Sequence, residues 1–274
     1  MKTLKDMLTI MVEKNASDMH LTVGSPIRMR INGKLEYEES NSLSPTEVSH
    51  YLKEYLNNDR LNQLNHGRDI DFSIGIAGIS RFRVNIFKQR GNFAATFRRL
   101  PYEIPSLESL NLPDTIGNLT LHKKGLILIT GGTGSGKSTT MAALIQKISN
   151  ESKGHIITIE DPIEYLYEHS KSLVNQREIG SDTSHFKASL KSVLRQDPDV
   201  VAIGELRDVD SMSAALTIAE TGHLVLGTLH TNNAAGTITR LINAFSPDKQ
   251  NIIRTTLSLS LIAVISQQLI PNLN

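Results

Sequence analysis

The stretch LILITGGTGSGKSTTMAALI, residues 126–145, constrains the fold more than any other part of the chain. A run of isoleucine and leucine comes first, a loop with four glycines follows, and a helical pattern begins at Lys137. This order predicts a buried strand, a tight loop and a helix. Such a unit is typical of α/β proteins with a parallel sheet.

The loop matches the pattern G-x-x-x-x-G-K-[ST], in which glycines let consecutive backbone N–H groups turn toward phosphate oxygens. The helix that follows adds the positive end of its dipole. Lys137 is expected to reach the β- and γ-phosphates, and the Ser138 hydroxyl to bind Mg²⁺. The motif therefore predicts a site for ATP and Mg²⁺ formed by Gly131, Gly132, Thr133, Gly134, Ser135, Gly136, Lys137, Ser138 and Thr139.

Hydrolysis also needs a group that orients the attacking water. The apolar run HIITIE ends at Glu160, and Glu164 follows about one turn later. A second apolar run, VVAIGE, ends at Glu205, where an aspartate is usual; the longer side chain suits contact with Mg²⁺ through water, or with the attacking water. All three are candidate catalytic carboxylates and Glu205 is also a candidate metal ligand. Which of them orients the water stays open, and each can equally cap a helix or form a surface ion pair.

Two histidines bracket the apolar run LVLGTL: His223 precedes it and His230 follows it. A histidine at a strand end of such a sheet can donate a hydrogen bond to the γ-phosphate. A core or capping role is the alternative for both. The 274 residues contain no cysteine and no H-x-x-x-H pair, so a zinc site is not predicted.

Arginines occur at regular positions in two predicted strands near the start of the chain. Arg81 and Arg83 lie two residues apart and therefore on one face of a strand, while Arg98 ends the next strand. They form either a solvated strand face or fingers that reach a nucleotide at a domain or subunit interface.

The pattern of apolar residues changes once along the chain. Residues 1–100 mix short helical and strand patterns, including a capping box at Ser44 and Glu47, and predict a small α+β domain. Residues 101–118 contain three prolines with little periodicity and predict a linker. Residues 119–274 alternate apolar strands with helices, which predicts a doubly wound α/β domain with a parallel sheet.

Charge and hydropathy exclude some classes of function. The formal net charge is +1, which gives no support for a nucleic-acid partner. The first twenty residues carry charges within a helical pattern, unlike a signal peptide, and no apolar run of about 18 residues occurs. We expect a cytoplasmic protein, peripheral at the membrane at most.

Four motifs, in the order GGTGSGKST, ITIEDPIEY, DPDVVAIGELRD and TGHLVLGTLHTNNA, resemble the secretion ATPase superfamily of type II secretion and type IV pilus systems. ASDMHLTVGSPIRMRING, DIDFSIGIAGISRFRVNIFKQRG and SLVNQREIG resemble its PilT branch, the pilus retraction ATPases, and the resemblance covers residues 3–270. It implies a PAS-like N-terminal domain, a RecA-like ATPase core, a ring of six subunits and an inner-membrane platform protein as partner.

The same resemblance assigns roles to the candidate residues. It places Glu160 and Glu164 in the family's Asp box, Glu205 in its Walker B motif, and both histidines in its His box. The residues that match its interdomain arginines are Arg81, Arg83 and Arg98.

Two departures from the family pattern are visible. The sequence ends at Asn274, before the helical C-terminal segment that PilT proteins use in retraction, so either the chain is truncated or it has another task. The four-cysteine zinc module and additional N-terminal domain of extension and type II secretion relatives are also missing, which argues against extension. We expect a hexameric Mg²⁺-ATPase for pilus retraction. The alternatives are a related secretion or assembly ATPase and a weakly hydrolysing ring subunit.

Overall fold

The computed structural model describes residues 3–37, 41–101 and 103–270. It divides the chain into two compact units, Met1–Tyr102 and Glu103–Asn274.

The first unit is an antiparallel sheet with helices. Its elements are α1 (Leu4–Glu13), β1 (Asp18–Leu21), β2 (Arg28–Ile31), β3 (Lys34–Tyr37), α2 (Pro45–Leu52), α3 (Asn58–Asn65), β4 (Ile70–Ile76), β5 (Ser80–Gln89) and β6 (Asn92–Leu100). The strand order is β3-β2-β1-β6-β5-β4, and all neighbouring strands are antiparallel. This arrangement is the α+β unit that the sequence predicts.

Local signals explain where these elements begin and turn. Helix α2 starts at the predicted capping box, in which the Ser44 side chain accepts from the backbone N–H of Glu47 and the Glu47 side chain accepts in return. Asn32 and Gly33 both have positive φ in the turn between β2 and β3, as the two-residue hairpin requires. In β5, Phe82, Val84 and Ile86 are buried, so the intervening residues occupy the opposite face.

The second unit is built on a parallel sheet. Its elements are α4 (Asp114–Asn118), β7 (Gly125–Gly131), α5 (Lys137–Glu151), β8 (His155–Glu160), β9 (Leu173–Glu178), α6 (Phe186–Val193), β10 (Val200–Ile203), α7 (Val209–Glu220), β11 (Leu224–Leu229), α8 (Ala234–Asn243), α9 (Pro247–Ser260) and β12 (Leu261–Gln267). The strand order is β12-β7-β11-β10-β8-β9, and each neighbouring pair is parallel.

Strand β7 shows why this sheet is buried on both faces. Leu126 and Leu128 belong to one hydrophobic cluster, which includes residues of α6, α7, α8 and α9. Ile127 and Ile129 belong to a second cluster on the other face, with α5. The predicted doubly wound α/β architecture is confirmed.

The proline-rich segment 103–118 belongs to the second unit, although the sequence predicts a linker over residues 101–118. Leu107 is buried in the cluster with α5, and Leu110, Leu112 and Ile116 pack against it. These apolar side chains lack a helical or strand period, so they resemble a linker in the sequence and yet contribute to a core. Tyr102 lies outside the described residues.

Among the residues that the structure describes, no helix combines the length and the apolar character needed to cross a bilayer.

Candidate nucleotide site

Gly131, the last residue of β7, begins the glycine loop in a confined position. A Cβ atom here would lie 2.4 Å from the carbonyl oxygen of Gln267 and 2.4 Å from the Oγ of Ser135. Further along the loop, Gly134 and Gly136 have φ of 76° and 89°, a region that favours glycine. The glycines are therefore required by close approach at one end of the loop and by backbone conformation at the other.

Lys137 is the first residue of α5 and is buried. Its Nζ donates to the carbonyl oxygens of Gly131 at 3.1 Å and Gly132 at 2.8 Å. Burial lowers the pKa of the ammonium group, while the charges of Glu205 and Glu164 act in the opposite direction. A cation is thus held against the loop at the N-terminus of a helix, and both carboxylates lie within electrostatic range of it.

Polar contacts on two sides fix the first turn of α5. The Oγ1 of Thr139 lies 3.0 Å from the hydroxyl of Tyr165, and Thr140 Oγ1 accepts from Gln267 Nε2 at 2.8 Å. Ser138, between Lys137 and Thr139, is half-buried. The helix start is therefore tied to the segment after β8 and to β12.

The acidic strand ends lie at the same edge of the sheet as the glycine loop. Because the strands are parallel, Glu160 at the end of β8, Glu205 after β10 and His230 after β11 share the carboxyl edge with Gly131. At such an edge α/β proteins bind ligands. The sequence prediction that these groups converge is consistent with this topology.

Glu205 lies at the centre of a charged cluster. Its Oε2 accepts from Arg207 Nε at 2.8 Å, and its Oε1 lies 3.4 Å from His230 Nε2. Arg207 also extends to Asp161, with Nη1 3.7 Å from Oδ2. The glutamate side chain is 23 % exposed, so this carboxylate is accessible at the edge of the sheet.

Glu160 has a different environment, because its side chain points into the unit and is buried. Burial raises the pKa of this carboxyl group to about 7, although hydrogen bonds from Thr158 and Gln176 oppose the shift. Thr158 Oγ1 donates to Oε1 at 2.6 Å and Gln176 Nε2 donates to the same atom at 3.2 Å. Its neighbour Glu164 is half-buried.

Stability should depend on pH through Glu160. A folded-state pKa of about 7, above the ordinary value of 4.5, means that the contribution of this group to stability is complete below pH 4.5 and is lost as pH rises through 7. Between pH 4.5 and pH 8 the wild type should therefore lose about 3 kcal/mol of unfolding free energy that Glu160→Gln does not lose. Urea unfolding at both pH values measures this difference.

The exposed Glu151 provides the control for that experiment, since Glu151→Gln should leave the pH dependence of the wild type unchanged. Identical pH dependence in Glu160→Gln and the wild type would show that Glu160 is not the group responsible.

The structure does not bring His223 to the glycine loop of this chain. His223 precedes β11, and its carbonyl oxygen accepts from the N–H of Gly125, the first residue of β7. The length of β7, about 20 Å, separates it from Gly131. Its Nδ1 lies 3.1 Å from the carbonyl oxygen of Ile218, at the end of α7. The expectation that His223 binds nucleotide together with the loop is thus corrected: in its own chain the ring packs at a helix end.

The three candidate arginines lie on one face of the first unit's sheet. Arg81 and Arg83 lie two residues apart on one face of β5, as predicted, and Arg83 is the direct cross-strand partner of Arg98. Each donates to a side chain of its own unit: Arg81 to Ser73 at 2.6 Å, Arg83 to Asp71 at 3.2 Å and Arg98 to Asp18 at 2.8 Å.

Sequence reasoning missed Arg207 and Tyr165, which contact the site residues directly. Arg207 has a usable signal, because it lies two residues after Glu205 in the motif GELRD. Tyr165 and the glutamine that supports it, Gln176, lie within the quoted motifs ITIEDPIEY and SLVNQREIG, but no local pattern shows that their side chains meet, since their contacts join separate parts of the chain.

A parallel sheet that has a glycine loop and a buried lysine after a central strand, with acidic ends on neighbouring strands, defines a RecA-like P-loop ATPase core. The family model described as Type II/IV secretion system protein matches residues 1–274, and the chain belongs to this family.

Relatives and solved structures agree with that assignment. The type IV pilus ATPase PilU of Pseudomonas aeruginosa is 43% identical over 265 residues, which are 97% of this chain and 69% of the relative. The pilus retraction ATPase PilT of the same organism is 41% identical over 267 residues, covering 97% of this chain and 78% of the relative. A crystal structure of the retraction motor PilT with bound ADP superimposes with a TM-score of 0.95 and 45% identity, over 100% of this chain and 80% of that one.

Proposed function

We propose that this chain is a Mg²⁺-dependent ATPase that works as a homohexameric ring and powers type IV pilus retraction, the basis of twitching motility. One observation carries the proposal. The buried ammonium of Lys137 is held against the loop carbonyls within electrostatic range of Glu205 and Glu164. This arrangement suits a polyphosphate flanked by the carboxylates that hydrolysis requires.

The glycine loop binds the phosphates of ATP in this proposal. Backbone N–H groups of the loop and of the first turn of α5 donate to phosphate oxygens, and Lys137 contacts the β- and γ-phosphates. The residues involved are Gly131, Gly132, Thr133, Gly134, Ser135, Gly136, Lys137, Ser138 and Thr139.

The side chains at the edge of the sheet fit Mg²⁺. The Ser138 hydroxyl and the Glu205 carboxylate are hard oxygen donors, and Mg²⁺ is commonly bound by one or two such groups together with substrate phosphates. When bound, the ion neutralises charge that develops on the phosphate oxygens. Residues 138 and 205 would hold it.

Glu205 is the best candidate for orienting the attacking water. Its carboxylate is partly exposed at the edge of the sheet, whereas Glu160 is buried. The negative charge of Glu164 favours the protonated form of Lys137 by raising its pKa. We assign to His230, beside Glu205, the sensing of the γ-phosphate.

The relatives support a proposal for partner and location. Two of them are named as type IV pilus ATPases. We accordingly infer action on an inner-membrane platform protein of the pilus from the cytoplasmic side, without a nucleic-acid partner. A formal charge of +1 supports the last point.

Ring formation should appear in the kinetics. We expect turnover per subunit to rise with protein concentration, to require Mg²⁺, and to fall about a hundredfold in Arg83→Ala with little change in ATP affinity. The reason is that the transition state spreads negative charge that further cations must offset. Steady-state ATPase assays and sedimentation over the same concentrations measure this. Arg99→Ala, at the next position after Arg98, is the control.

Several outcomes would contradict the proposal. One such outcome is full turnover by a strictly monomeric sample, with wild-type turnover in both Arg81→Ala and Arg83→Ala. The arginines would then form only a solvated strand face. Turnover without recovery of twitching in cells that lack their own retraction ATPase would favour a related secretion or assembly ATPase. A ring without turnover would favour a weakly hydrolysing subunit.

A further inference from the structure

The segment that follows β8 alternates in burial without belonging to the sheet. Ile163, Tyr165 and Tyr167 are buried, while Glu164 is half-buried and Leu166 is 48% exposed. A segment outside a sheet lacks ladder partners, so its buried backbone N–H and C=O groups need hydrogen bonds from elsewhere.

Two side chains of β9 supply those hydrogen bonds. Gln176 Nε2 donates to the carbonyl oxygen of Tyr165 at 2.8 Å, and Gln176 Oε1 accepts from the N–H of Tyr167 at 2.9 Å. Glu178 Oε2 accepts from the N–H of Ile163 at 3.0 Å. Positions 176 and 178 share one face of the strand, so their spacing matches the alternate residues of the segment.

This segment leads directly to the nucleotide site. The Tyr165 hydroxyl contacts Thr139 in the first turn of α5, and the neighbouring Glu164 acts electrostatically on Lys137. The amide of Gln176 also donates to Glu160 at 3.2 Å. One side chain therefore joins the backbone of the segment to a carboxylate at the edge of the sheet.

We propose that Gln176 is a positioning residue for ATP hydrolysis: its amide holds the segment 163–167 in place, so that Tyr165 and Glu164 stay beside the start of α5. In this role Gln176 acts through these residues. The inference rests on the proposed ATPase function and goes beyond it by assigning the support of the site to β9, a strand that carries none of the candidate catalytic or nucleotide-binding residues.

The chemistry of position 176 is restrictive. An amide offers a donor to Glu160 and Tyr165 and an acceptor to Tyr167 at the same time. Glutamate has a similar shape, but it places a carboxylate oxygen, which is an acceptor, against the acceptor oxygens of Glu160 and Tyr165. Methionine has a similar length and can make none of the three hydrogen bonds.

Two substitutions test the role, Gln176→Met and Gln176→Glu. Because small displacements of a catalytic group are costly, we expect kcat to fall about tenfold to a hundredfold in both. The KM for ATP and the Kd for a non-hydrolysable ATP analogue should stay within about threefold of wild type, since the glycine loop and Lys137 are unchanged.

Two matched controls separate positioning from loss of stability. Ser172→Ala removes a buried hydrogen bond to the carbonyl oxygen of Ser152, just before β9, and should lower the Tm without lowering kcat. Asn175→Ala alters the adjacent side chain, which faces the other way toward His155, and should leave kcat at the wild-type value.

A double-mutant cycle tests whether Gln176 acts through Tyr165. Tyr165→Phe removes only the hydroxyl that contacts Thr139, and alone it should lower kcat less than Gln176→Met does. If the glutamine holds this tyrosine in place, the double variant should lose no more kcat than Gln176→Met alone. Losses that multiply would contradict the proposal.

Two further results would overturn it: wild-type kcat in both Gln176 variants, or a kcat loss that Ser172→Ala reproduces at the same loss of Tm. Lys137→Ala in the same assay separates a failure of the positioning role from a failure of the ATPase site. An inactive Lys137→Ala beside fully active Gln176 variants rejects the positioning role alone, whereas an active Lys137→Ala rejects the ATPase site itself.

Discussion

Replacing Lys137 with alanine is expected to abolish ATP hydrolysis, with a loss in kcat on the order of a hundredfold or more. The ammonium group is the cation that the first turn of α5 presents to the loop, where it donates to the carbonyl oxygens of Gly131 and Gly132. Because the charge serves the bound phosphates and not the hydrophobic core, the substitution should leave the fold intact. ATP turnover and circular dichroism of the same sample measure the two effects.

Lys147 is the matched control, because it belongs to the same helix and pairs with the exposed Glu151. Lys147→Ala should hydrolyse ATP at the wild-type rate. If Lys137→Ala does the same, the assignment of the glycine loop to phosphate binding is wrong.

Glu205→Gln should have the second large effect, a loss of about a hundredfold or more in turnover with ATP binding retained. Glutamine has the same shape but no negative charge, so it cannot draw a proton from water or balance the charge of Arg207. The shape of the loop does not change. Turnover and equilibrium binding of ATP, measured on one preparation, show whether the two properties separate.

The control for this substitution is Glu220→Gln, at the end of α7, where the carboxylate accepts from Thr256. It should leave turnover unchanged. Wild-type turnover in Glu205→Gln would transfer the water-orienting task to Glu164 or Glu160, and the corresponding glutamine variants would then identify which.

The sequence predicted the parallel core and the placement of Glu205 and His230 because few arrangements satisfy its pattern. Buried strands alternating with helices require a parallel sheet, and parallel strands present their carboxyl ends at one edge. Residues that directly follow apolar runs are thereby brought to the edge that carries the glycine loop. This reasoning applied to His230, which follows its strand.

The same rule would have excluded His223, which precedes its strand and so lies at the opposite edge. The prediction for His223 used its position beside an apolar run and the resemblance of the motif TGHLVLGTLHTNNA to the family's His box, and did not use the direction of the strand. For this residue, strand direction is the better guide to its place in the chain's own fold.

Strand β9 and the packed segment 103–118 could not be predicted, for a different physical reason. The sequence LVNQRE is mostly polar, and two of its side chains, Gln176 and Glu178, hydrogen-bond the backbone of another segment. Leu107 joins a core without belonging to any periodic pattern. Both depend on contacts between parts of the chain that no local pattern records.

The burial of Glu160 is a related case. Strand β8 is buried on both faces, so its sequence pattern has no exposed face from which the accessibility of its last residue could be predicted. Only the folded structure shows that this carboxylate is directed toward Thr158 and Gln176, while Glu205 is partly exposed.

The most direct measurement is Mg²⁺-dependent ATP hydrolysis by the purified chain, compared in one experiment with Lys137→Ala and Glu205→Gln, together with the nucleotide that each protein retains. We expect turnover by the wild type alone, no retained nucleotide in Lys137→Ala, and unhydrolysed ATP bound to Glu205→Gln. Turnover at the wild-type rate in Lys137→Ala, or the absence of bound ATP in Glu205→Gln, would contradict the proposed function.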